Sequence, residues 1–319
     1  MAETVPKVVV VGGVYVDMAV KCEQIPSASQ AVVGSALSYT VDGPGPNQAV
    51  EAALCGCRVQ LISQIGGGPF EKMVLGSLEE FGVDTDFVHI ADAKNTGVIV
   101  TVVNSAGENT SITYAGANAA LSPAHIDEAE RIISEADVCL INGNLPVNTV
   151  VRAVSCAKLH GTKVMLNPAR PLAPAAATVA ALPVEYFNAD ILILNFFEAA
   201  DITEHLDANI RTAKLIGSDL VARGAAAAVI TMGRRGCIVA DRNSCDHIPA
   251  FEIKLVDKSC SGDAFAGALA AYTAVEDDVR GAVKFATAAG ALACAKFGSI
   301  ESLPTRAEII ELLQKNDTE

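Results

Sequence analysis

Residues 256–265 read VDKSCSGDAF and run on into AGALAAYTAV, which is almost entirely small or apolar. A Ser261-Gly262-Asp263 triplet at the mouth of such a helix has two uses. An aspartate at a helix start caps it, because its carboxylate takes up orphan N–H groups and complements the positive end of the dipole. The same place also offers consecutive N–H groups to an anion, with Asp263 aimed at that spot as a base. Cys260 reads as small apolar filler, since no histidine lies near it in sequence to activate the thiol.

Four other stretches carry chemistry-bearing residues. In VVVVGGVYVD, Gly12-Gly13 is followed by Val14, Tyr15 and Val16 where G-x-G-x-x-G needs further glycines, so the dinucleotide fingerprint is absent. Asp17, just past the glycine pair, either stabilises a turn or accepts hydrogen bonds from hydroxyls. The stretch DGPGPNQ (42–48) opens a helix, where glycines permit close backbone approach to a ligand and the helix start supplies N–H groups. In NFFEAADI, Asn195 and Glu198 have capping-box spacing, and the same pair suits magnesium held through water, because a hard cation keeps most of its hydration shell. TMGRRG (231–236) ends a strand, and its hydroxyl, glycines and two arginines fit either nucleotide phosphates or a plain surface turn.

The elements that must position these residues follow from periodicity. Short β-branched runs, KVVVVGG, RVQLIS, VCLIN, KVMLN, DILILN and AAVITMG, read as buried strands. Between them, 46–55, 70–81, 123–135, 147–159 and 209–223 have helical spacing. Alternating strands and helices, with strands apolar on both faces, predict an α/β fold with a doubly wound, mainly parallel sheet. Ligands on such sheets bind beyond the carboxyl ends of the strands, where Gly12-Gly13, Asn142, Asn167, Asn195 and Thr231-Met232-Gly233 fall. Segments 32–41 and 96–116 break the rhythm: they alternate or are β-branched, with a turn at 104–108, and predict a small antiparallel β insert over 15–41 and 96–116. The main domain is then 1–14, 42–95 and 117–319. An Ala-rich patch at 173–181 reads as a loop running into a helix.

With 319 residues, 51% hydrophobic and 19% charged, the chain can bury a large core. Its formal net charge of −14 argues against nucleic acid or an anionic membrane surface as a general partner. Nine cysteines, scattered and without a C-x-x-C pair, read as reduced core residues instead of a disulfide frame or zinc site. No basic region followed by an apolar stretch opens the chain and no apolar run reaches membrane-spanning length, so the expectation is a soluble cytoplasmic protein. Asn109-Thr110-Ser111 matches a glycosylation acceptor by chance in that setting.

Together these pieces, in this order, resemble the ribokinase-like (PfkB) carbohydrate kinases from about Lys7 to Leu303. The family's closing signature, D-[TS]-x-G-A-G-D before a small-residue helix, is similar to DKSCSGD; its G-G-K-G-x-N motif resembles DGPGPN, and its N-x-x-E matches Asn195 and Glu198. The resemblance implies an ATP- and magnesium-dependent kinase acting on a primary hydroxyl of a sugar or sugar-like alcohol. Asp263 becomes the base, and the backbone of Cys260, Ser261, Gly262 and Asp263 the anion hole. Asn195 and Glu198 organise magnesium; Asn195, Thr231, Gly233 and Thr287 serve the nucleotide; Asp17, Gly43 and Asn47 meet the sugar. Asp257, Ser259, Gly298 and Ser302 match a potassium site. The β insert corresponds to a lid and a homodimer contact. Departures gather at the sugar: Tyr15 stands in place of Asn, Asp42 in place of the first glycine, Pro44 in place of Lys, and Asn144 in place of a Glu, all of which point away from ribose. Lys258 replaces a Thr beside the cation site. A nucleoside, stacked on Tyr15 or Tyr39, and a catalytically weak sugar-binding protein are the alternatives.

Overall fold

The run KVVVV forms β1 (Lys7–Val11), buried from Val8 onward. Val8 and Val10 enter one apolar cluster and Val9 and Val11 the other, as the two-residue period of a strand covered on both faces requires. The chain then leaves the body as β2 (Tyr15–Cys22), returns as β3 (Gly34–Asp42), and enters α1 (Pro44–Leu54), with proline in the first turn. Next come β4 (Arg58–Gly66), α2 (Glu71–Glu80), the short β5 (Val83–Asp84) and β6 (Val88–Ala91), and a second excursion as β7 (Gly97–Val103) and β8 (Asn109–Tyr114). Helix and strand then alternate through α3 (Pro123–Glu128), α4 (Glu130–Ser134), β9 (Val138–Asn142), α5 (Val147–His160), β10 (Lys163–Asn167) and β11 (Ile191–Asn195). The segment expected as one helix over 123–135 is two, joined at Ala129. After α6 (Phe196–Thr203), α7 (Ile210–Ala222) and β12 (Ala227–Thr231), β13 (Cys237–Asp241) and β14 (Cys245–Ile248) form the sheet's far edge. Three helices follow, α8 (Ser261–Thr273), α9 (Val279–Cys294) and α10 (Arg306–Asn316). This computed structural model describes residues 5–169, 182–205 and 207–316; the Ala-rich patch at 173–181 lies outside them.

The main sheet runs β14-β13-β12-β11-β10-β9-β1-β4-β5, with β6 also paired to β4. It is parallel from β12 to β5, and only β13 and β14 are antiparallel. One face carries α1, α8 and α9, the other α5, α6 and α7. Helices α1 and α8 meet through Gly267, where a Cβ would lie 2.6 Å from the Gln48 carbonyl oxygen and 2.7 Å from Glu51 Cβ. This close approach lays the start of α1 beside the start of α8.

The second sheet has the order β3-β2-β7-β8. Its outer pairs are antiparallel, as expected, but the central pair, β2 with β7, is parallel. Both hairpins leave the body in the same direction, so their outgoing strands lie side by side. Cross-strand partners share a face, which separates two surfaces. One bears Asp17, Thr40, Asp42 and Thr101; the other bears Met18, Leu37, Tyr39, Val100, Ile112 and Tyr114.

Candidate active site

The first turns of α1 and α8 converge on Asp263. Asn47 Nδ2 donates to Asp263 Oδ2 at 3.0 Å and Gln48 Nε2 to Asp263 Oδ1 at 2.9 Å, so both carboxylate oxygens are held by adjacent residues of α1. Asn47 Nδ2 also donates to Asp42 Oδ1 at 2.8 Å, joining two carboxylates through one amide. Burial pushes the Asp263 carboxyl up to about 6; the Asn47 and Gln48 bonds pull against that, and the Asp42 charge adds to it. The side chain keeps a partly accessible edge. The N-cap of α8 is Cys260, which makes no side-chain cap bond, and the Asp263 carboxylate bonds to Asn47 and Gln48. The capping alternative thus gives way to a carboxylate clamped from another helix. Gln48, which the sequence reading passed over, is half of that clamp; its place next to Asn47 in the glycine motif was the signal.

The first hydrogen bond of α8 runs from Ala264 N–H to Cys260 O, so the N–H groups of Gly262 and Asp263 precede the helical ladder. A Cβ built on Gly262 would meet nothing within 4 Å, which leaves open space at the helix mouth. Ser261 Oγ donates to Lys258 O and fixes the preceding turn. Cys260 is 3% exposed, and burial, with Asp263, Asp42 and Glu51 nearby, holds its thiol far above the ordinary range. Its contribution is therefore backbone and packing.

Asp17 accepts from Thr101 Oγ1 at 2.8 Å across the small sheet. Burial raises its carboxyl, the Thr101 bond lowers it, and Asp42 raises it again. Asp17, Asp42 and Asp263 thus form an acidic arc between the small sheet and α8. Tyr15 is 3% exposed, its phenol pushed up to about 12 by burial and its hydroxyl donated to Asn144 Oδ1 at 2.6 Å. Its ring fills the slot left by Gly13, Gly43 and Gly97, and Gly43 itself adopts φ +106°. Tyr39 lies on the face of the sheet opposite Asp17, near the Phe70 ring. Neither tyrosine is placed to stack on a base, which corrects that expectation. The glycine loop also differs from the expected ligand cradle: Gly45 N–H donates to Gly13 O, and a Cβ on Gly12 would lie 2.6 Å from Gly45 Cα, so these glycines let backbone approach backbone.

At the carboxyl edge of the sheet, Asn142 Nδ2 donates to Asn167 Oδ1, and Asn167 Nδ2 to Ile193 O, a polar ladder tying β9, β10 and β11 together. Next along, Asn195 and Glu198 do form the capping box: Glu198 N–H donates to Asn195 Oδ1 at 2.9 Å and Asn195 N–H to Glu198 Oε2 at 3.0 Å. The box holds two hard oxygen-bearing side chains at the strand end, a donor set that suits a hydrated magnesium ion. Thr231 is the cross-strand partner of Asn195, and Gly233 adopts φ +58° beside open space. Thr287 is near them through Cys237, but its hydroxyl donates to Val283 O. Arg235 is turned to the Ala208 carbonyl, so it ties down a loop and leaves the phosphate-binding expectation for that arginine unmet.

The segments proposed for a monovalent cation also come together. Asp257 Oδ1 accepts from Ser259 N–H and Oγ, at 3.0 and 2.7 Å, and Gly298 N–H points to Asp257 Oδ2 at 3.5 Å. Ser302 is buried, with its hydroxyl on Ser299 O. All these oxygens are hard donors, in keeping with an alkali cation.

Comparison with known proteins meets this geometry from another side. Residues 5–306 match the family model described as "pfkB family carbohydrate kinase". The chain is 29% identical over 312 residues to a deoxyribokinase of Salmonella typhimurium, covering 97% of this chain and 99% of that protein. It is 30% identical over 306 residues to a ribokinase of Bacillus subtilis, covering 95% and 98%. Among solved structures, a ribokinase of Thermotoga maritima superposes with a TM-score of 0.84 at 26% identity, over 96% of this chain and 99% of that one. A clamped carboxylate at a helix mouth, in a fold and sequence shared along almost the entire chain, places this protein in the pfkB family of carbohydrate kinases, enzymes that phosphorylate sugars with ATP.

Proposed function

We propose that this kinase transfers the γ-phosphoryl group of ATP to the primary hydroxyl of a neutral, pentose-sized sugar, with Asp263 as the base. The observation that carries the reading is the clamp of Asn47 and Gln48 on Asp263 at the open mouth of α8. A carboxylate shifted to about 6 is mostly ionised at neutral pH yet basic enough to take the hydroxyl proton as the oxygen attacks. Gly262 and Asp263 N–H groups, with the helix dipole, receive charge on the transferring group. Phosphoryl transfer asks for positioning and electrostatics more than covalent chemistry. In a chain of net charge −14, fixed backbone dipoles supply the local positive potential.

Asn195 and Glu198 would hold magnesium through water; the ion supplies neutralisation of phosphate charge. Asp257, Ser259, Gly298 and Ser302 would hold potassium beside the turn that leads into α8. Thr231, Gly233 and Thr287 border the nucleotide. Asp17, Asp42, Gly43, Asn47, Tyr15 and Asn144 form the sugar end, covered by the small sheet acting as a lid. Asp42 is paired with Asn47, so it occupies an amide that would otherwise face a sugar hydroxyl, and the Tyr15–Asn144 bond closes the adjoining space. A ribose ring is therefore a poorer fit than a sugar with a hydroxyl missing or moved, and the relatives named deoxyribokinase support that direction.

The lid's second face supports a homodimer. Leu37, Tyr39, Val100, Ile112 and Tyr114 share it and are 39 to 74% exposed, an apolar surface that a second copy would cover.

The test is an ADP-release assay across pentoses, 2-deoxypentoses, hexoses and nucleosides. A neutral sugar other than ribose should give the highest kcat/KM. Ribose ranking first would overturn the substrate reading, and absence of turnover on every compound would overturn the kinase reading.

A further inference from the structure

On the far side of the molecule, α5 presents Cys156 and His160 one turn apart, and α4 presents Glu130 opposite them. The Cys156 Sγ, a His160 ring nitrogen and a Glu130 carboxylate oxygen all lie within 4.8 Å of one another. His160 Nε2 and Glu130 Oε1 are already 2.7 Å apart. Residues four apart on a helix share a face, so the pair on α5 converges without strain, and the packing of α4 on α5 supplies the third group.

We propose that Glu130, Cys156 and His160 bind a zinc-class divalent cation between α4 and α5. A tetrahedral zinc ion with sulfur, nitrogen and oxygen at about 2.0–2.3 Å holds its ligand atoms roughly 3.5 Å apart. Side-chain rotations that exchange the His160–Glu130 hydrogen bond for two metal bonds would bring the cluster, now within 4.8 Å, to that spacing. One thiolate, one imidazole and one carboxylate make a borderline-soft set that favours zinc over magnesium, whose preferred ligands are oxygens. Binding requires Cys156 to give its proton to solvent, after which thiolate and carboxylate together balance the dication. Cys156 is fully buried while His160 and Glu130 reach solvent, so the ion enters from their side and keeps water at its fourth position.

The site is separate from the kinase centre. Helix α5 begins just after Asn144 and ends at His160, 14 residues and about 20 Å along its axis. A metal there staples α4 to α5 and touches neither sugar nor nucleotide.

Cobalt(II) added to the metal-free full-length protein is the probe, because its spectrum reports sulfur ligation that an all-oxygen magnesium site cannot mimic. One equivalent should give the visible bands of four-coordinate cobalt with a sulfur-to-cobalt charge-transfer band, both removed by equimolar zinc. His160→Gln and Glu130→Gln, changes at the surface that spare the core, should weaken cobalt at least about tenfold, and Cys156→Ser should abolish the charge-transfer band. Zinc should raise the Tm of the unmodified protein and not that of His160→Gln, whose magnesium-supported turnover stays normal. Absence of the charge-transfer band, or its persistence in Cys156→Ser with unchanged affinity in His160→Gln, would overturn the proposal.

Discussion

Asp263 and Asp42 share one amide, and that sharing has a measurable effect. The Asp42 charge helps to hold the Asp263 carboxyl near 6, so if Asp263 is the base, as proposed, activity should fall as pH drops through that value. Replacing Asp42 with Asn removes the neighbouring charge and should move the acid limb of the kcat profile to lower pH, a shift to be read from ADP release between pH 4.5 and 8. An unmoved limb would separate Asp42 from the base. Much of this residue set was legible in sequence, because Asp17, Asn47 and Asp263 stand in short motifs whose side chains suit the chemistry. What the sequence concealed was pairing across distance: Asn47 and Gln48 lie 216 and 215 residues from Asp263. In sequence Asp42 was only a carboxylate in place of a glycine, and Tyr15 a ring open to a ligand, until the fold supplied Asn47 for one and Asn144 for the other.

Among the elements, α8 has the most direct test. Gly262→Ala adds a methyl group where the protein leaves open space, so folding should be unaffected while the methyl intrudes on the approach of the phosphoryl group. Turnover should fall by about tenfold or more with unchanged Tm, since roughly 1.4 kcal/mol lost from the transition state is a factor of ten. Full activity would mean that the helix mouth receives nothing. Helix α6 poses the complementary question, because the Asn195–Glu198 capping box is real. Glu198→Gln keeps an oxygen that can close the box but lowers the charge, so the magnesium concentration for half-maximal rate should rise with sugar KM nearly unchanged; an unaltered magnesium requirement would leave the pair as a cap alone. The strands and helices of the main body were legible because strands buried on both faces read as apolar runs and the helices between them carry a clear period. The small sheet was harder: 32–41 and the 96–116 hairpin showed as strands, but β2 did not stand out as one, and its parallel pairing with β7 depends on how two distant excursions leave the body, which no local pattern encodes.

At the scale of the whole molecule, the small sheet has one polar and one apolar surface, and on the proposed reading the polar one covers the sugar while the apolar one meets a second copy. Ile112, 74% exposed, sits on the apolar face, so Ile112→Asp should convert a dimer into monomers in sedimentation or light scattering without loss of fold. A monomeric unmodified protein would contradict the assignment of that face. Asp263 is the centre of the proposed chemistry. Desolvation raises its carboxyl from the unfolded value, so its stabilising contribution is complete below pH 3.8 and is lost as pH rises through about 6. At neutral pH the ionised group carries a desolvation cost that an amide would not, so its replacement should cost little stability. The decisive measurement is kcat for ADP release by Asp263→Asn with the best sugar of the panel, alongside its Tm at the same pH. We expect kcat to fall by about 10²–10⁴ with sugar KM and Tm nearly unchanged, whereas a folded Asp263→Asn protein turning over at the unmodified rate would contradict the role assigned to this carboxylate.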